Sequence, residues 1–179
     1  MVHPMKQIIT TYGFLIVLFP LLGAVVNGFF GKRIQARLGE KLPGYIVPGM
    51  VFCSFVLSLL AFIAVSAGQG SAIVNHAYTW LSLGTLQVEI AFLFDPLSAM
   101  MLLIITGIGF LIHVYSTAYM HGDRGVARYF AYLNLFVFSM LILVLGENAL
   151  LMFVGWEGVG LCSYLLIGFW FNEKQNTIA

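Results

Sequence analysis

Apolar residues fill long uninterrupted stretches of this chain, and polar residues gather between them. Five stretches are long enough to cross a bilayer as helix: roughly 8–30, 46–68, 97–119, 129–146 and 149–171. A hydrocarbon core requires about 20 such residues in helical form. The pattern therefore predicts an all-α integral membrane protein with about five transmembrane helices, one membrane domain over 1–179. The first stretch is too long for the apolar core of a signal peptide, and Lys6 is the one charge before it. It reads as a retained membrane helix.

Between the second and third spans the period changes. In NHAYTWLSLGTLQVEIAFLFDP (75–96), Leu86, Val88 and Ile90 alternate with Gln87 and Glu89, which is strand periodicity. Leu83-Gly84-Thr85 supplies a turn. A short β-hairpin over about 77–92 follows, lying at the membrane surface. Asp95-Pro96 then reads as the cap and first residue of the third span.

Charge sets the orientation. Lys32, Arg33, Arg37 and Lys41 follow the first span, Arg124 and Arg128 follow the third, and Lys174 follows the fifth. With five spans, these seven basic residues share one side and Lys6 lies on the other. The positive-inside rule places the N-terminus and the hairpin outside and the C-terminus in the cytoplasm. The polar tail 172–179 reads as an interrupted loop.

Composition narrows the functions. Only 8% of residues are charged, against about 25% in soluble domains, too few to cover a soluble globule. A net charge of +1 gives no reason to expect nucleic acid. No GxGxxG, P-loop or Cys/His cluster marks a nucleotide, flavin or iron–sulfur site. Cys53 and Cys162 lie in apolar runs without metal-ligand spacing and read as small buried helix residues.

Against this background one carboxylic acid stands out. Glu40, Glu89, Asp95, Asp123, Glu147 and Glu173 fall in loops or at helix ends, whereas Glu157, in GWEGVG, is deep in the fifth span. It lies about eight residues from the start, ~12 Å at 1.5 Å per residue. A charge at that depth costs on the order of 3 kcal/mol on insertion scales. Burial disfavours the ionised form, so Glu157 is either protonated or paired with a cation or water. Gly155, Gly158 and Cys162 share a face and flank it at helical spacing. Small residues admit a close backbone or water, and each helical glycine costs about 1 kcal/mol relative to Ala. That weakness reads as a loosening beside a proton or ion relay. The plain alternative is a protonated Glu157 that hydrogen-bonds a neighbouring helix.

His113, in GFLIHVYSTAYM, is the second proton-transfer candidate, because imidazole titrates near neutral pH. Its plain alternative is an interface residue bonded to a backbone carbonyl. Asn134 and Ser139 in the fourth span, and Ser163 and Tyr164 in the fifth, are further polar residues within spans. Trp80 and Trp170 read as interfacial belt residues. No span carries Lys or Arg, so a cationic partner for Glu157 has to come from elsewhere.

These same residues carry a family resemblance. LLMFVGWEGVGLCSYLLIGFW (150–170) resembles the fifth-helix signature of the NuoL-type subunit of respiratory complex I, the family of mitochondrial subunit 5. FLFDPLSAMMLLIITGIGFLIHVYSTAYM (92–120) and RYFAYLNLFVFSMLILVL (128–145) are similar to its third and fourth helices. The resemblance runs from about Trp80 to Phe171; the first 75 residues match in pattern only. It implies the N-terminal part of a larger antiporter-like helix bundle. Glu157 matches the family's fifth-helix glutamate, one half of a Glu–Lys pair whose lysine lies on a seventh helix that this sequence does not reach. The implied function is proton translocation coupled to NADH-to-quinone electron transfer. NADH, FMN, iron–sulfur clusters and quinone are then expected on partner subunits, with none on this chain. The implied partners are other membrane subunits of complex I and the lipid bilayer, in a bacterial inner membrane. Two rival readings are the large subunit of a multisubunit Na⁺/H⁺ antiporter or a membrane-bound hydrogenase relative, and a truncated product that never assembles.

Overall fold

The computed structural model describes residues 4–39, 41–84, 86–123 and 125–170. Glu40, Arg124 and the polar tail with Glu173 and Lys174 lie outside these residues. In chain order the elements are α1 (Pro4–Tyr12), α2 (Leu15–Leu38), α3 (Lys41–Ala67), β1 (Ile73–Leu83), β2 (Leu86–Phe94), α4 (Pro96–Tyr119), α5 (Val126–Leu145) and α6 (Ala149–Ile167). Among the described residues five helical segments are long and apolar enough to cross a membrane, α1 and α2 together forming the first. The two-stranded hairpin lies between the second and third spans. α2 packs between α3 and α5, α4 packs on α3, and α6 packs on α5.

The first span is broken at Gly13-Phe14, a feature hydropathy does not reveal because both halves are apolar. A Cβ at Gly13 would lie 2.6 Å from the Ile9 carbonyl oxygen and 2.9 Å from the Phe94 ring. Glycine is needed there because the end of β2 closes over the break. Seven residues later Pro20 lies inside α2. Proline has no N–H, so the carbonyl four residues back, on Ile16, loses its helical donor. The Ser54 hydroxyl of α3 donates to that carbonyl at 2.8 Å in a buried contact. Ser54→Ala is therefore expected to cost about 1–3 kcal/mol, the range for a buried acceptor left unpaired. Ser58→Ala should cost less, because the Ser58 hydroxyl donates to the Ser54 carbonyl, already served within its helix. Thermal unfolding of the two variants in detergent would order them, and equal losses would rule this role out.

The hairpin pairs antiparallel from Ile73↔Phe94 to Leu83↔Leu86, with irregularities at His76/Tyr78 and Thr79/Leu81. Gly84, at φ 59°, turns the chain. Hydrogen bonds to helix ends on one face of the bundle hold it, one of them from the Ser98 hydroxyl of α4 to the Leu93 carbonyl. The Asn75 amide donates to the Thr10 carbonyl of α1 at 2.6 Å. The Glu147 N–H, between α5 and α6, donates to the Ala91 carbonyl at 3.1 Å. The Asn148 side-chain amide donates to the Glu89 carbonyl at 2.7 Å. Where β2 ends, Asp95 and Ser98 form a reciprocal capping box, with Pro96 opening α4 as the sequence indicated. The Ser98 backbone amide holds the Asp95 carboxyl below its ordinary range.

Inside the bundle, apolar packing divides in two. The cluster nearer the hairpin includes Ile9, Ile16, Phe94, Leu102, Val137, Leu141 and Leu145. The cluster at the opposite end joins Val47, Met120, Val126, Phe130 and Phe169. Buried polar residues, among them Asn27, His113, Ser116 and Asn134, lie along the helices between them.

Candidate functional site

Glu157 is the ninth residue of the 19-residue α6, about 12 Å from its start, so the sequence reading of its depth along the helix holds. Its side chain lies on the exposed side of α6. Phe153, Trp156, Glu157, Gly160, Leu161 and Tyr164 recur at helical spacing, and all are exposed. This is an apolar stripe with one acid in it, and α5 does not cover it. Among the described residues Glu157 has no hydrogen bond and no ion pair.

The glycines flanking Glu157 do something other than loosen the helix, and here the structure corrects the sequence reading. Gly155 is buried, and an added Cβ would strike the backbone of Leu143 on α5, 2.7 Å from its Cα. At Gly158 the obstacle is Ser139, with Oγ at 2.5 Å and Cβ at 2.9 Å. Cys162 is fully buried on the same side. These small residues let α5 and α6 approach closely. They face α5, while Glu157 faces away from it. Gly160, on the exposed stripe, has no neighbour within 4 Å of an added Cβ.

His113 is wholly buried. Its Nδ1 lies 2.7 Å from the Gly109 carbonyl oxygen; a carbonyl only accepts, so Nδ1 carries the proton. This is the backbone bond of the plain alternative, but it uses only one ring nitrogen. Among the described residues Nε2 has no hydrogen-bond partner, nor do Oδ1 and Nδ2 of the fully buried Asn134 on α5. Asn134 lies close enough to the His113 ring to interact with it as a polar neighbour, short of hydrogen-bond geometry, and is pressed against Gly23 of α2, where a Cβ would collide with its amide. One turn further along α4, the Ser116 hydroxyl meets the Tyr129 hydroxyl at 3.3 Å. Thus α2, α4 and α5 enclose a polar patch in the membrane interior. The sequence reading named Asn134 only as a polar residue in a span and passed over Asn27. A single Asn inside an apolar run is the available signal for both.

The two candidates sit at comparable depth without meeting. His113 is six residues from the end of α4 at Tyr119 and Asn134 is eight residues into α5. Both are therefore about 9–12 Å from the face opposite the hairpin, and Glu157 is about 15 Å from it. No hydrogen bond or ion pair joins Glu157 to His113 among the described residues.

At that opposite face α6 is clamped to the loop between α4 and α5. The Trp170 indole N–H donates to Asp123 Oδ2 at 3.0 Å, and the Gly125 N–H donates to Oδ1 at 2.6 Å. Arg128 donates to the Phe169 carbonyl at 3.1 Å and lies over the Phe169 ring. Trp170 thus has a specific partner beyond a place in an aromatic belt. The indole, the Gly125 amide and the Arg128 charge hold Asp123 below the usual carboxylate range. A lowered folded value means that the clamp's stabilisation is present above the unfolded carboxyl range and is lost as pH falls through the folded one.

Residues 80–130 match the family described as NADH-ubiquinone oxidoreductase (complex I), chain 5 N-terminus. Residues 146–179 match that described as NADH:quinone oxidoreductase/Mrp antiporter, TM. The chain is 39% identical over 165 residues, 92% of its length, to NADH-quinone oxidoreductase subunit L of Escherichia coli (strain K12), covering 26% of that protein. It is 43% identical over 161 residues, 90% of its length, to NADH-ubiquinone oxidoreductase chain 5 of Metridium senile, again covering 26%. For the chain 5 of Arabidopsis thaliana the identity is 44% over 161 residues, covering 90% of this chain and 23% of that one. The chain spans about a quarter of the length of these relatives.

Proposed function

Since the chain belongs to the subunit L/chain 5 family of NADH:quinone oxidoreductase, we propose that it is the N-terminal part of a membrane subunit that moves protons as NADH reduces quinone. Electron transfer takes place on partner subunits, which hold the NADH, FMN, iron–sulfur and quinone sites. Its energy reaches this subunit as a change in electrostatics or shape. The membrane is the bacterial inner membrane, with the N-terminus and hairpin outside. The clustering of Lys32, Arg33 and Arg37 at the end of α2, opposite the hairpin, supports that orientation.

The observation that carries this reading is the position of Glu157 in a chain with these relatives. A lone carboxylate at mid-membrane on an uncovered apolar stripe is costly facing lipid, about 3 kcal/mol as a charge. Further helices of the whole subunit cover the stripe and bring a cation to it. With the cation close, the carboxylate stays ionised; when the cation withdraws, the carboxylate takes up a proton. Repetition of that exchange, with access alternating between the two faces, moves protons.

The test is made on the whole complex in sealed vesicles. NADH is expected to drive proton movement that disappears when this subunit is deleted and returns when it is restored. Proton movement driven by a sodium gradient, with no NADH requirement, would replace this reading with the antiporter one, which the second family description also names.

A further inference from the structure

A second polar site lies away from Glu157. On the face opposite the hairpin, a cavity of about 230 Å³ opens between the start of α3, the end of α4 and the start of α5. It is lined by Gly44, Tyr45, Thr117, His121 and Phe130, among others. Pro48 withholds the helical donor from the Gly44 carbonyl, which adds an acceptor unserved by the helix ladder to this lining. Phe130 closes the inner end, and its ring centroid lies 6.3 Å from that of His113. Beyond it are the three buried polar atoms already described: His113 Nε2 and both amide atoms of Asn134. A buried polar atom without a partner costs about 1–3 kcal/mol, and polar buried sites of this kind are where internal water is held.

We propose that His113 and Asn134 form a hydrated proton-exchange site inside the α2/α4/α5 bundle, reached from the face opposite the hairpin through this cavity, with the Phe130 ring as the barrier between them. The inference depends on the proton-translocating reading for its purpose but not for its existence. The chemistry follows from the tautomer. With Nδ1–H fixed to the Gly109 carbonyl, the lone pair on Nε2 is the free acceptor. A hydronium arriving through the cavity gives up one proton: its O–H bond breaks, the Nε2–H bond forms and water leaves. The imidazolium donates Nε2–H to the Asn134 carbonyl oxygen or to water, and the reverse transfer restores the neutral ring. Asn134 carries no charge, so nothing holds the proton permanently. Of the titratable groups nearby, Tyr129 is engaged with Ser116, Tyr45 and His121 stand at the cavity, and Cys53 on α3 is exposed away from the bundle. Gly23 completes the site, since any side chain there would displace the Asn134 amide.

The test uses the full-length subunit in lipid bilayers with ¹⁵N-labelled histidine. Magnetic resonance is expected to show His113 as the Nδ1–H tautomer, with water protons exchanging at Nε2. Phe130→Ala should speed that exchange about tenfold, equivalent to ~1.4 kcal/mol off the barrier. Asn134→Leu should remove the water contact at Nε2 and leave the Nδ1 bond in place. Thr117→Cys should react with a membrane-impermeant thiol reagent added on the side opposite the hairpin, and not from the hairpin side. A dry His113 with no exchange, an unchanged rate in Phe130→Ala, or labelling from the hairpin side would overturn the proposal. The assembled complex separates this inference from the function. If Glu157→Gln stops NADH-driven proton movement while Asn134→Leu leaves it intact, the site has no part in translocation and the proposed function stands. If His113 exchanges as expected in a complex that moves no protons, the function fails and the site remains.

Discussion

Glu157→Gln in the full-length subunit is expected to leave the complex assembled and oxidising NADH, and to lower the protons moved per NADH oxidised. Glutamine keeps the shape and hydrogen-bonding capacity of a protonated glutamate but cannot exchange a proton. The part of the flux that passes through this subunit should fall on the order of a hundredfold, the scale on which a positioned proton-transfer group acts. Folding should be little affected, because among the described residues the Glu157 side chain bonds to nothing and lies on the exposed side of α6. Glu157→Asp should retain part of the flux. Glu147→Gln is the control: this acid is exposed, beside the hairpin at the start of α6, where water is present. A normal proton-to-NADH ratio in an assembled Glu157→Gln complex would remove Glu157 from the mechanism.

The second large effect is structural. Gly155→Ala should separate α5 from α6, because the new methyl would meet the backbone of Leu143, which has no rotamer to move to. Overpacking commonly costs about 1–3 kcal/mol, and a backbone obstacle puts this substitution at or above the upper end. Gly158→Ala meets a serine side chain, Ser139, which can partly yield, and about 1 kcal/mol is expected there. Gly160→Ala meets nothing within 4 Å in this chain. A loss for Gly160→Ala in the full-length subunit, absent from the 179-residue chain, would locate a helix packed on the exposed stripe. Thermal midpoints of the purified proteins and recovery of assembled complex on native gels give the ranking. Equal behaviour at Gly155 and Gly160 would mean that the α5–α6 contact is not as tight as described.

These glycines also show where sequence reading succeeds and where it stops. Apolar length is a property of each segment alone, so five membrane-capable helices were legible. So was the hairpin, because the period-2 alternation of Leu86 to Ile90 is equally local. Which way a residue faces depends on the neighbour it meets. Gly155 and Gly158 are two residues and one residue from Glu157, and around a helix those steps are about 200° and 100°. Closeness in sequence suggested one shared site, whereas the rotation sends the glycines to α5 and the acid away from it. The Gly13 break was hidden because it depends on Phe94, 81 residues later. The purpose of Ser54 was hidden because it answers a proline on another helix. His113 was recognisable as a candidate, but its closeness to Asn134 required the packing of α4 on α5.

The ties of the hairpin also have a consequence for the order of biogenesis. The strands are synthesised before α4, yet two of their anchors, Glu147 and Asn148, lie some 50 to 60 residues further along the chain. Until those residues arrive, the carbonyls of Glu89 and Ala91 have only water for partners. The hairpin can lean on α1 and the start of α4 earlier, but the Glu89 and Ala91 ties form only after α5 and the start of α6 have entered the membrane. A protease on that side would therefore distinguish unfinished chains from finished ones, cutting the hairpin in the former and sparing it in the latter.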